Sequence, residues 1–438
     1  MAKLTFKGGV HPFDGKALSK NKEIKELVPS GDIVIPLSQH IGAPATPIVK
    51  KGDRVLTGQL IGEASGFISA NVHSSVSGTV KSIEVRRLAN GGKSDCVIIE
   101  NDGMYEEAEF EKKNLKDLDA DEIRERVKSA GVVGMGGAGF PTNVKLTPKN
   151  PEQIEYIIVN GAECEPYLTS DYRRMLEEPE KLREGLLCVL KLFPQAKGYI
   201  AIEDNKPEAI RVIKETVKGI DRIEVKEVKT KYPQGGERAL VFATTGRKLN
   251  SDMLPADVGC IVHNVDTIVS IYNAVIEGRP LIRRIVTVTG EAVNNPQNYY
   301  VRIGTSYRQL LEASGGLKFE VAKYISGGPM MGFAMADLDV PVAKGSSSLL
   351  VLKDDVVAGL DDSPCIRCGR CADACPGRII PAKVSAMAVK GNKEAFVKLG
   401  GMECCECGCC SFACPAKKPL TQNIKSMRKQ ILADRKKK

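Results

Sequence analysis

The spacing of apolar and polar positions changes along the chain and predicts several structural units. Between 32 and 100, short β-type runs such as IVIPL are broken by glycine, which predicts a small all-β unit. Between 106 and 280, apolar runs such as 154–159 alternate with amphipathic stretches, which predicts an α/β domain with a largely parallel sheet. After 283 the pattern is again that of strands, with a short helix expected at 306–313. We therefore expect a multidomain protein of mixed α/β and α+β class.

The glycine-punctuated segment at 49–63 resembles the folded β-sandwich of biotinyl and lipoyl carriers. It reads V-x-K-G-D-x-V-x-x-G-Q-x-I-G-E and is followed by S-G-T-V at 77–80. Such carriers attach their group to a lysine at a hairpin tip, whereas no lysine occurs between Lys51 and Lys81. We therefore expect a structural or docking module and not a carrier.

A glycine-rich stretch, GVVGMGGAGFPTNVKL, occupies 131–146 after a charged segment of helical period. Its five glycines would allow backbone amides to approach a phosphate or a flat ring closely, as in glycine-rich anion-binding loops. The strict G-x-G-x-x-G fingerprint between a strand and a helix is not met. By itself, the stretch is also compatible with a plain loop.

Polar residues follow the buried strand that is predicted at 154–159. Asn160, Glu163, Cys164 and Glu165 come shortly after it. The carboxyl ends of strands are where α/β folds bind their ligands. A ligand site is therefore expected at this edge of the sheet.

Two cysteine runs with the same spacing dominate the C-terminal part of the chain. Each reads C-x2-C-x2-C-x3-C-P, and they start at Cys365 and Cys404. Bacterial two-cluster ferredoxins have this spacing, and the fourth cysteine of each run binds the cluster of the other run. We therefore predict two 4Fe-4S clusters. Their ligands would be Cys365, Cys368, Cys371 and Cys414 for the first cluster, and Cys404, Cys407, Cys410 and Cys375 for the second.

Structural zinc is the alternative use of such cysteines. Zinc sites usually pair two C-x2-C knuckles, and not three evenly spaced thiols with a Cys-Pro. Cys405 and Cys409 lie outside the pattern and are expected to be spare thiols near a cluster. Of the 14 cysteines, the four outside this region are scattered, which favours a reducing cytoplasm over a disulfide-linked secreted fold.

The positive charge of the chain lies almost entirely at its C-terminal end. Of the formal net charge of +9, nine basic residues and one acid from Lys417 onward contribute +8, which leaves about +1 for the rest. A nucleic-acid partner is therefore not expected. The basic tail fits a solvated helix or a contact with a membrane surface or an acidic partner. No apolar run approaches the ~20 residues needed to cross a bilayer, and the first ten residues lack a signal-peptide pattern.

Four of these motifs occur in the order found in a known family. GMGGAGFPTNVKL, NGAECEP, YPQGGERAL and HNVDT resemble the flavin-binding signature of the NADH-oxidising 51-kDa-type subunit of respiratory complex I. With the opening GGVHP, the carrier-like unit, a small β-grasp-like unit and the double cysteine run, nearly the whole chain resembles the C subunit of the Rnf electron-transport complex. The resemblance implies FMN, NAD(H) and two 4Fe-4S clusters as cofactors.

The resemblance also implies roles for single residues. The glycine loop would line the flavin ring and phosphate, and Phe140 would stack on NADH. Asn160 and Glu163 would contact FMN, and Asn264 would reach its phosphate. Glu165 would face the ribityl chain or the nicotinamide ribose and is the one candidate for a catalytic group. The implied cofactor-binding residues are Gly134, Gly136, Gly137, Ala138, Gly139, Phe140, Lys145, Asn160, Glu163, Glu165, Tyr232, Gly235, Glu237 and Asn264.

The sequence departs from the complex I pattern at four positions. Met135 stands where Arg is usual, Ala162 where Asp is usual and His263 where a first Asn is usual, and Pro148 replaces an aromatic residue that helps to stack the dinucleotide. FMN binding is expected to tolerate these changes better than the detailed pose of NADH does.

The expected activity is that of an NADH dehydrogenase-type oxidoreductase and translocase subunit, which transfers electrons between NADH and ferredoxin. NADH delivers two electrons as a hydride and each cubane takes one, so a flavin must stand between them. The resemblance implies a peripheral subunit on the cytoplasmic face of the membrane, with other Rnf membrane and iron-sulfur subunits as partners and ferredoxin as an indirect one. The complex would move Na+ or H+.

Three alternatives remain open at this point. A cobalamin reductase of a propanediol-type microcompartment resembles the same flavin and double-cluster architecture. A soluble NAD-linked hydrogenase or formate dehydrogenase subunit is the second. A zinc-stapled interaction protein that uses the basic tail is the third.

The resemblance assigns fold names and bounds to the predicted parts. An N-terminal segment with a biotinyl/lipoyl-like β-sandwich is expected at 1–105, a Rossmann-like FMN- and NADH-binding domain at 106–280, and a β-grasp-like SLBB domain at 281–352. A two-cluster ferredoxin-like domain is expected at 353–423 and a basic tail at 424–438.

Overall fold

The computed structural model describes residues 4–355, 357–361 and 363–437, without the side chains at 436 and 437. The last lysines of the predicted basic tail and residues 1–3 of the predicted N-terminal segment lie outside this description. Among the described helices, none combines the length and the apolar content that crossing a bilayer requires.

The N-terminal unit is a sandwich of short strands, as its glycine-broken pattern predicts. A strand that precedes the sandwich, β1 (Ile24–Leu27), pairs elsewhere. The strands of the sandwich are β2 (Asp32–Pro36), β3 (Thr46–Pro47), β4 (Arg54–Val55), β5 (Leu60–Glu63), β6 (Val72–His73), β7 (Gly78–Arg87) and β8 (Lys93–Asn101). One sheet has the order β2-β8-β7-β4 and the other the order β3-β5-β6. Apolar residues from both sheets, among them Ile33, Ile61 and Val97, share one buried core.

The second unit is an α/β domain. Its elements are α1 (Ala120–Ser129), α2 (Thr142–Lys145), β9 (Tyr156–Gly161), α3 (Ser170–Glu177), α4 (Pro179–Leu192), β10 (Lys197–Glu203), α5 (Pro207–Thr216), β11 (Ile223–Val228), α6 (Glu237–Thr245), β12 (Cys260–Asn264) and α7 (Val265–Val275). The sheet order β11-β10-β9-β12 is parallel throughout, as predicted. Helices α4 and α7 pack on one face of the sheet, and α6 packs on the other. The carboxyl ends of β9 and β12 therefore lie side by side, with Asn160 opposite Asn264.

The third unit is a mixed sheet. Its elements are β13 (Arg283–Thr289), β14 (Gln297–Arg302), α8 (Tyr307–Ala313), β15 (Lys323–Ser326), β16 (Phe333–Met335) and β17 (Ser348–Leu352). The sheet order is β1-β14-β13-β17-β15-β16, and β1 pairs in parallel with β14. The strand at Ile24–Leu27 thus belongs to this sheet, although it comes from the predicted N-terminal part.

The C-terminal unit contains the two cysteine runs, and its described α-helices are four short ones and one longer one. They are α9 (Arg370–Asp373), α10 (Pro381–Val389), α11 (Lys393–Lys398), α12 (Cys409–Phe412) and α13 (Leu420–Lys437). Ile424, Met427 and Ile431 of α13 are buried against Val384 and Phe396. The three residues therefore lie on the one face of α13 that packs against the rest of the unit. The predicted boundary between 423 and 424 falls inside this helix.

We expect Ile424→Ala to lower the opening free energy of α10 and α13 by about 2–4 kcal/mol, because it removes a fully buried side chain from contact with Val384 and Phe396. Native-state hydrogen exchange of the amides in these helices measures the change. The control is Leu432→Ala on the same helix, where the side chain is 42% exposed and the expected change is below about 0.5 kcal/mol. Equal effects of the two substitutions would contradict a docked helix.

Candidate functional site

The glycine-rich stretch forms a loop that is closed at its base and open at its tip. The Gly134 amide donates to the Phe140 carbonyl at 2.7 Å, and positions 136–138 between them are exposed. Gly136 has a φ of +75°, and a Cβ there would lie 3.2 Å from the side-chain nitrogen of Asn264. Backbone conformation and close approach thus both favour glycine at this position. The tip leaves backbone groups accessible to a ligand.

Two neighbouring units fix this loop in place. The Ile41 amide of the sandwich donates to the Gly139 carbonyl at 3.3 Å. The Met135 amide donates to the Thr267 hydroxyl of α7 at 2.9 Å. The Met135 side chain is buried in the core of the sandwich and therefore does not belong to the exposed tip.

Asn264 ends β12, caps α7 and belongs to a network with three acidic residues behind the loop. Its side-chain oxygen accepts from the Asp266 amide at 2.9 Å, and its nitrogen donates to the Asp171 carboxylate at 2.7 Å. The Asp171 amide donates to Glu163 Oε1 at 2.7 Å. Burial raises the pKa of Asp171 to about 7, and the charges of Glu163 and Asp266 add to the rise. Asp171 was not among the residues predicted from the sequence.

The Gly-Gly turn of the YPQGGE motif covers the end of β9. The Asn160 side chain donates to the Gly235 carbonyl at 2.8 Å, and the Gly235 amide donates to the Cys164 sulfur at 3.3 Å. Lys145 donates to the Glu237 carboxylate at 3.1 Å. The fold therefore brings together the four motifs that the sequence resemblance selects.

Two buried lysines, neither predicted from the sequence, fix the loop that carries Glu163 and Glu165. Lys16 donates to the carbonyls of Glu163 and Glu165 at 2.9 Å each, and to that of Leu168 at 2.6 Å. Lys206 donates to the carbonyl of residue 162 at 2.6 Å. Burial lowers the pKa of Lys16. These contacts join residues about 40 to 150 positions apart, and no local spacing in the sequence indicates them.

Glu165 lies where the α/β domain meets the SGGPMMGF loop of the third unit. Its Oε2 accepts from the Met330 amide at 3.2 Å, and the carboxylate also interacts with the Tyr232 hydroxyl. Its Oε1 is buried and has no hydrogen-bond partner among the described atoms. Burial raises the pKa of Glu165 to about 7, although hydrogen bonds from the amides of Met330 and Met331 oppose the rise.

Tyr232 joins the α/β domain to the second cysteine run. Its hydroxyl donates to the Cys407 carbonyl at 2.8 Å, and the Cys409 thiol donates to the Tyr232 carbonyl at 3.8 Å. The Tyr232 side chain is 2% exposed, and burial raises its pKa far above the usual value. The backbones of Tyr232 and Val10 exchange two hydrogen bonds of 2.8 and 2.9 Å. We call this set of contacts the Tyr232 junction.

The GGVHP motif extends this junction to the first cysteine run. The Gly9 amide donates to the Ala374 carbonyl at 2.8 Å. Gly8 has a φ of +87°, and a Cβ there would lie 2.8 Å from the Cys375 carbonyl oxygen. Only glycine fits at this distance without a shift of the backbone. The sequence resemblance contains this motif, but only the fold shows what it contacts.

Thiols of both runs line one small concavity, whose free volume is about 10 Å³. Its cysteines are Cys375 of the first run and Cys404, Cys405, Cys407, Cys409 and Cys410 of the second. Elsewhere, burial raises the pKa of Cys371 of the first run, and the neighbouring Cys414 of the second run adds to the rise. Cys365 and Cys368 are exposed. Cys375 thus lies among cysteines of the second run, and Cys414 lies near Cys371 of the first run, while the ligand sets of the two clusters stay predictions.

These residues fit the groups that the motifs imply. In the motifs at or after the carboxyl ends of β9, β11 and β12, Gln234 Nε2 and His263 Nε2 are buried without a hydrogen-bond partner among the described atoms, and Glu163 Oε2 has only the Lys16 ammonium 3.8 Å away. Six thiols from both runs line the concavity, and cysteine thiolates are the donors that hold iron-sulfur clusters. Within the described ranges, no three His, Cys, Asp or Glu side chains are arranged to hold a single metal ion.

Comparison with known proteins agrees with the motifs. Residues 4–104 match the RnfC barrel sandwich hybrid domain, residues 127–273 the Nuo51 FMN-binding domain and residues 285–334 the SLBB domain. The C subunit of the proton-translocating ferredoxin:NAD(+) oxidoreductase complex of Clostridium ljungdahlii is 46% identical over 390 residues, with 88% of this chain and 85% of that protein covered. The chain belongs to the RnfC family of ion-translocating oxidoreductase complexes. The resemblance stated from the motifs is thus confirmed.

Further relatives agree with the assignment to the RnfC family. The C subunit of the Na(+)-translocating ferredoxin:NAD(+) oxidoreductase complex of Acetobacterium woodii is 43% identical over 441 residues, with 99% of this chain and 98% of that protein covered. A solved NAD+-reducing [NiFe]-hydrogenase superposes with a TM-score of 0.48 at 18% identity, over 73% of this chain and 62% of that chain. This last likeness is too distant to carry a functional argument.

We expect Glu165→Gln to stabilise the cofactor-free chain at high pH relative to the wild type. The pKa of about 7 in the fold exceeds the usual 4.5, so the ionised carboxylate destabilises the folded state. This loss of unfolding free energy begins as the pH rises above about 4.5 and is complete above about 7. It amounts to about 3 kcal/mol, at 1.36 kcal/mol per pKa unit.

Chemical unfolding at pH 5 and pH 8 measures this difference in unfolding free energy. The control is Glu152→Gln, because Glu152 is exposed and its replacement should have the same small effect at both pH values. If Glu165→Gln raised the unfolding free energy equally at pH 5 and pH 8, the buried charge of Glu165 would not be the cause of the increase.

Proposed function

We propose that this chain transfers electrons between NADH and ferredoxin through FMN and two 4Fe-4S clusters. It would be the peripheral NADH-oxidising or NAD+-reducing subunit of a membrane-bound, ion-translocating complex, on the cytoplasmic face and in contact with other Rnf subunits. The observation that carries this proposal is the Tyr232 junction. It brings the FMN-binding domain into direct contact with the second cysteine run.

The proposed FMN site is the exposed glycine loop with the polar groups behind it. Bound FMN would exchange a hydride with NADH and single electrons with the clusters. Backbone amides at 136–138, which are exposed, and the N-terminus of α7, which Asn264 caps next to Gly136, would hold its anionic phosphate. Asn160 and Glu163 would orient the ring, with Asp171 as an additional group of this network.

Glu165 Oε1 is the atom proposed to contact the nicotinamide ribose or the ribityl chain. It is buried and has no partner among the described atoms, whereas Oε2 is held by the Met330 amide. A carboxylate in this position would accept a hydrogen bond from a sugar hydroxyl. Its fixed Oε2 would keep Oε1 oriented toward the ligand.

The exposure of the cysteines supports an order for the two clusters. Cys407 and Cys410 are buried, and the Cys407 carbonyl accepts the Tyr232 hydroxyl. Cys365 and Cys368 of the first run are exposed. We therefore propose that the second-run cluster is the one next to the flavin. The first-run cluster would exchange electrons with the rest of the complex.

Anaerobic titration of the purified, reconstituted chain with NADH tests the proposed function. We expect flavin absorbance to bleach and EPR signals of two reduced cubanes to appear, because the junction connects the flavin domain with the clusters. Iron and sulfide analysis should give two 4Fe-4S clusters per chain. A protein with clusters but without flavin, and without a response to NADH, would refute the proposal.

We expect Tyr232→Phe to slow cluster reduction by a few-fold while NADH bleaches the flavin at the wild-type rate. The substitution removes the hydroxyl that donates to the Cys407 carbonyl and leaves the ring in place, a loss of about 1 kcal/mol of contact energy. Stopped-flow absorbance separates the two steps. The control is Tyr199→Phe in the same domain, which should alter neither step. Slower flavin bleaching in Tyr232→Phe would instead assign Tyr232 to the nucleotide site.

A further inference from the structure

The two cysteine runs form an internal repeat with equivalent positions. Counted from the first cysteine of each run, Arg367 corresponds to Glu406, and Arg370 corresponds to Cys409. The backbones agree, because Arg367 and Glu406 have φ values of 55° and 57°, and the glycines that cap α9 and α12 have values of 79° and 81°. The surroundings of the two runs can therefore be compared position by position.

At the second run, these positions are covered by the protein itself. Cys409 is fully buried and contacts the Tyr232 carbonyl. Glu406 forms ion pairs with Arg428 and Lys425 of α13. The side of the second run that Cys409 occupies is therefore the side that meets the FMN-binding domain.

At the first run, the same positions face solvent. Arg367 and Arg370 are exposed, and neither forms an ion pair with any residue that the structure describes. Ile366 is 67% exposed, and Phe412 on the adjacent α12 is 51% exposed. Large apolar side chains beside unpaired basic ones are unusual on a surface that remains in water.

The face around the first run is formed by two adjoining segments, 363–371 and 411–419. The Ser363 amide donates to the Ala416 carbonyl at 3.2 Å and joins them. Together they carry four basic residues and no acidic one, and the exposed Asp361 and Asp373 border them. They also contain the exposed thiols Cys365 and Cys368. Basic residues and exposed apolar side chains thus surround the cysteines of the first-run cluster, which is the cluster proposed to exchange electrons with a partner.

We propose that this face is the docking surface for an acidic one-electron carrier protein, which exchanges electrons with the first-run cluster. The inference rests on the proposed function. Each transfer moves one electron, so that the carrier is oxidised as the cluster is reduced, or the reverse, and no bond forms or breaks. Apolar contact with a charged rim is the usual construction of a protein interface, and opposite charge speeds the encounter.

A protein partner fits this face better than a membrane surface does. Helices that lie in the membrane interface have a long apolar side. Here α9 and α12 have four residues each, and the exposed apolar residues of this face include Ile366 and Phe412. The small apolar area next to a redox group suits a compact protein carrier.

Binding of an oxidised, acidic two-cluster ferredoxin to the holo-chain is the first test. We expect Arg370→Glu to weaken ferredoxin binding about tenfold at low salt, because a charge complementary to the acidic partner is replaced by a repulsive one. The effect should be smaller at high salt, because salt screens the interaction between the charges. Ile366→Ser is a second variant and should weaken binding at both salt concentrations. The matched control is Lys51→Glu, the same charge change at an exposed turn of the N-terminal sandwich, which should bind like the wild type.

Electron transfer from two donors of opposite charge is the second test. The reduced ferredoxin should reduce Arg370→Glu several-fold more slowly than the wild type at low salt. The methyl viologen radical cation should reduce it at least as fast as the wild type. Iron content and the EPR spectrum of Arg370→Glu should equal those of the wild type.

Three results would overturn the docking surface. The first is that Arg370→Glu and Lys51→Glu weaken ferredoxin binding equally. The second is that both donors reduce Arg370→Glu more slowly than the wild type. The third is that the chain binds anionic lipid vesicles and loses this binding in Arg370→Glu, while ferredoxin binding does not change. NADH bleaching of the flavin in the same samples tests the proposed function separately. If NADH bleaches the flavin and Arg370→Glu binds ferredoxin like the wild type, only the docking surface fails. If NADH leaves the wild-type flavin oxidised, the proposed function fails.

Discussion

The contact between Tyr232 and the second cysteine run is the interaction on which the rest of the structure depends. The tyrosine hydroxyl donates to the Cys407 carbonyl, and its own backbone pairs with Val10. A buried hydroxyl without a partner would cost about 1–3 kcal/mol, so this bond favours one arrangement of the two units. Electron transfer falls steeply with distance, and a fixed contact between the flavin domain and a cluster is therefore a requirement of the proposed function.

The groups around this contact are buried, charged and held by backbone atoms. Lys16 donates to three carbonyls of the loop that carries Glu165, and the Met330 amide holds one oxygen of Glu165. Backbone partners leave a charged side chain little freedom to move. The site is thus rigid where the acidic groups lie and open at the glycine loop, an arrangement that suits a cofactor bound beside a mobile nucleotide.

The sequence predicted those features that have a local pattern. The apolar run at 154–159 predicted a buried strand, and the structure has β9 there. The helical spacing of Ile424, Met427 and Ile431 predicted a helix, and the structure has α13 there, with these residues buried. Lys16 and the pairing of β1 with β14 were not predicted, because their contacts join residues about 150 and 270 positions apart. The residue roles taken from the resemblance, and the ligand sets of the clusters, stay predictions.

The order of the two clusters is the central claim, and freeze-quench EPR on variants that lack one cluster tests it most directly. In a Cys365→Ser, Cys368→Ser variant without the first-run cluster, NADH should still reduce the second-run cluster at the wild-type rate. In a Cys407→Ser, Cys410→Ser variant without the second-run cluster, the first-run cluster should stay oxidised while the flavin is bleached. Rapid reduction of the first-run cluster in the absence of the second would contradict the account.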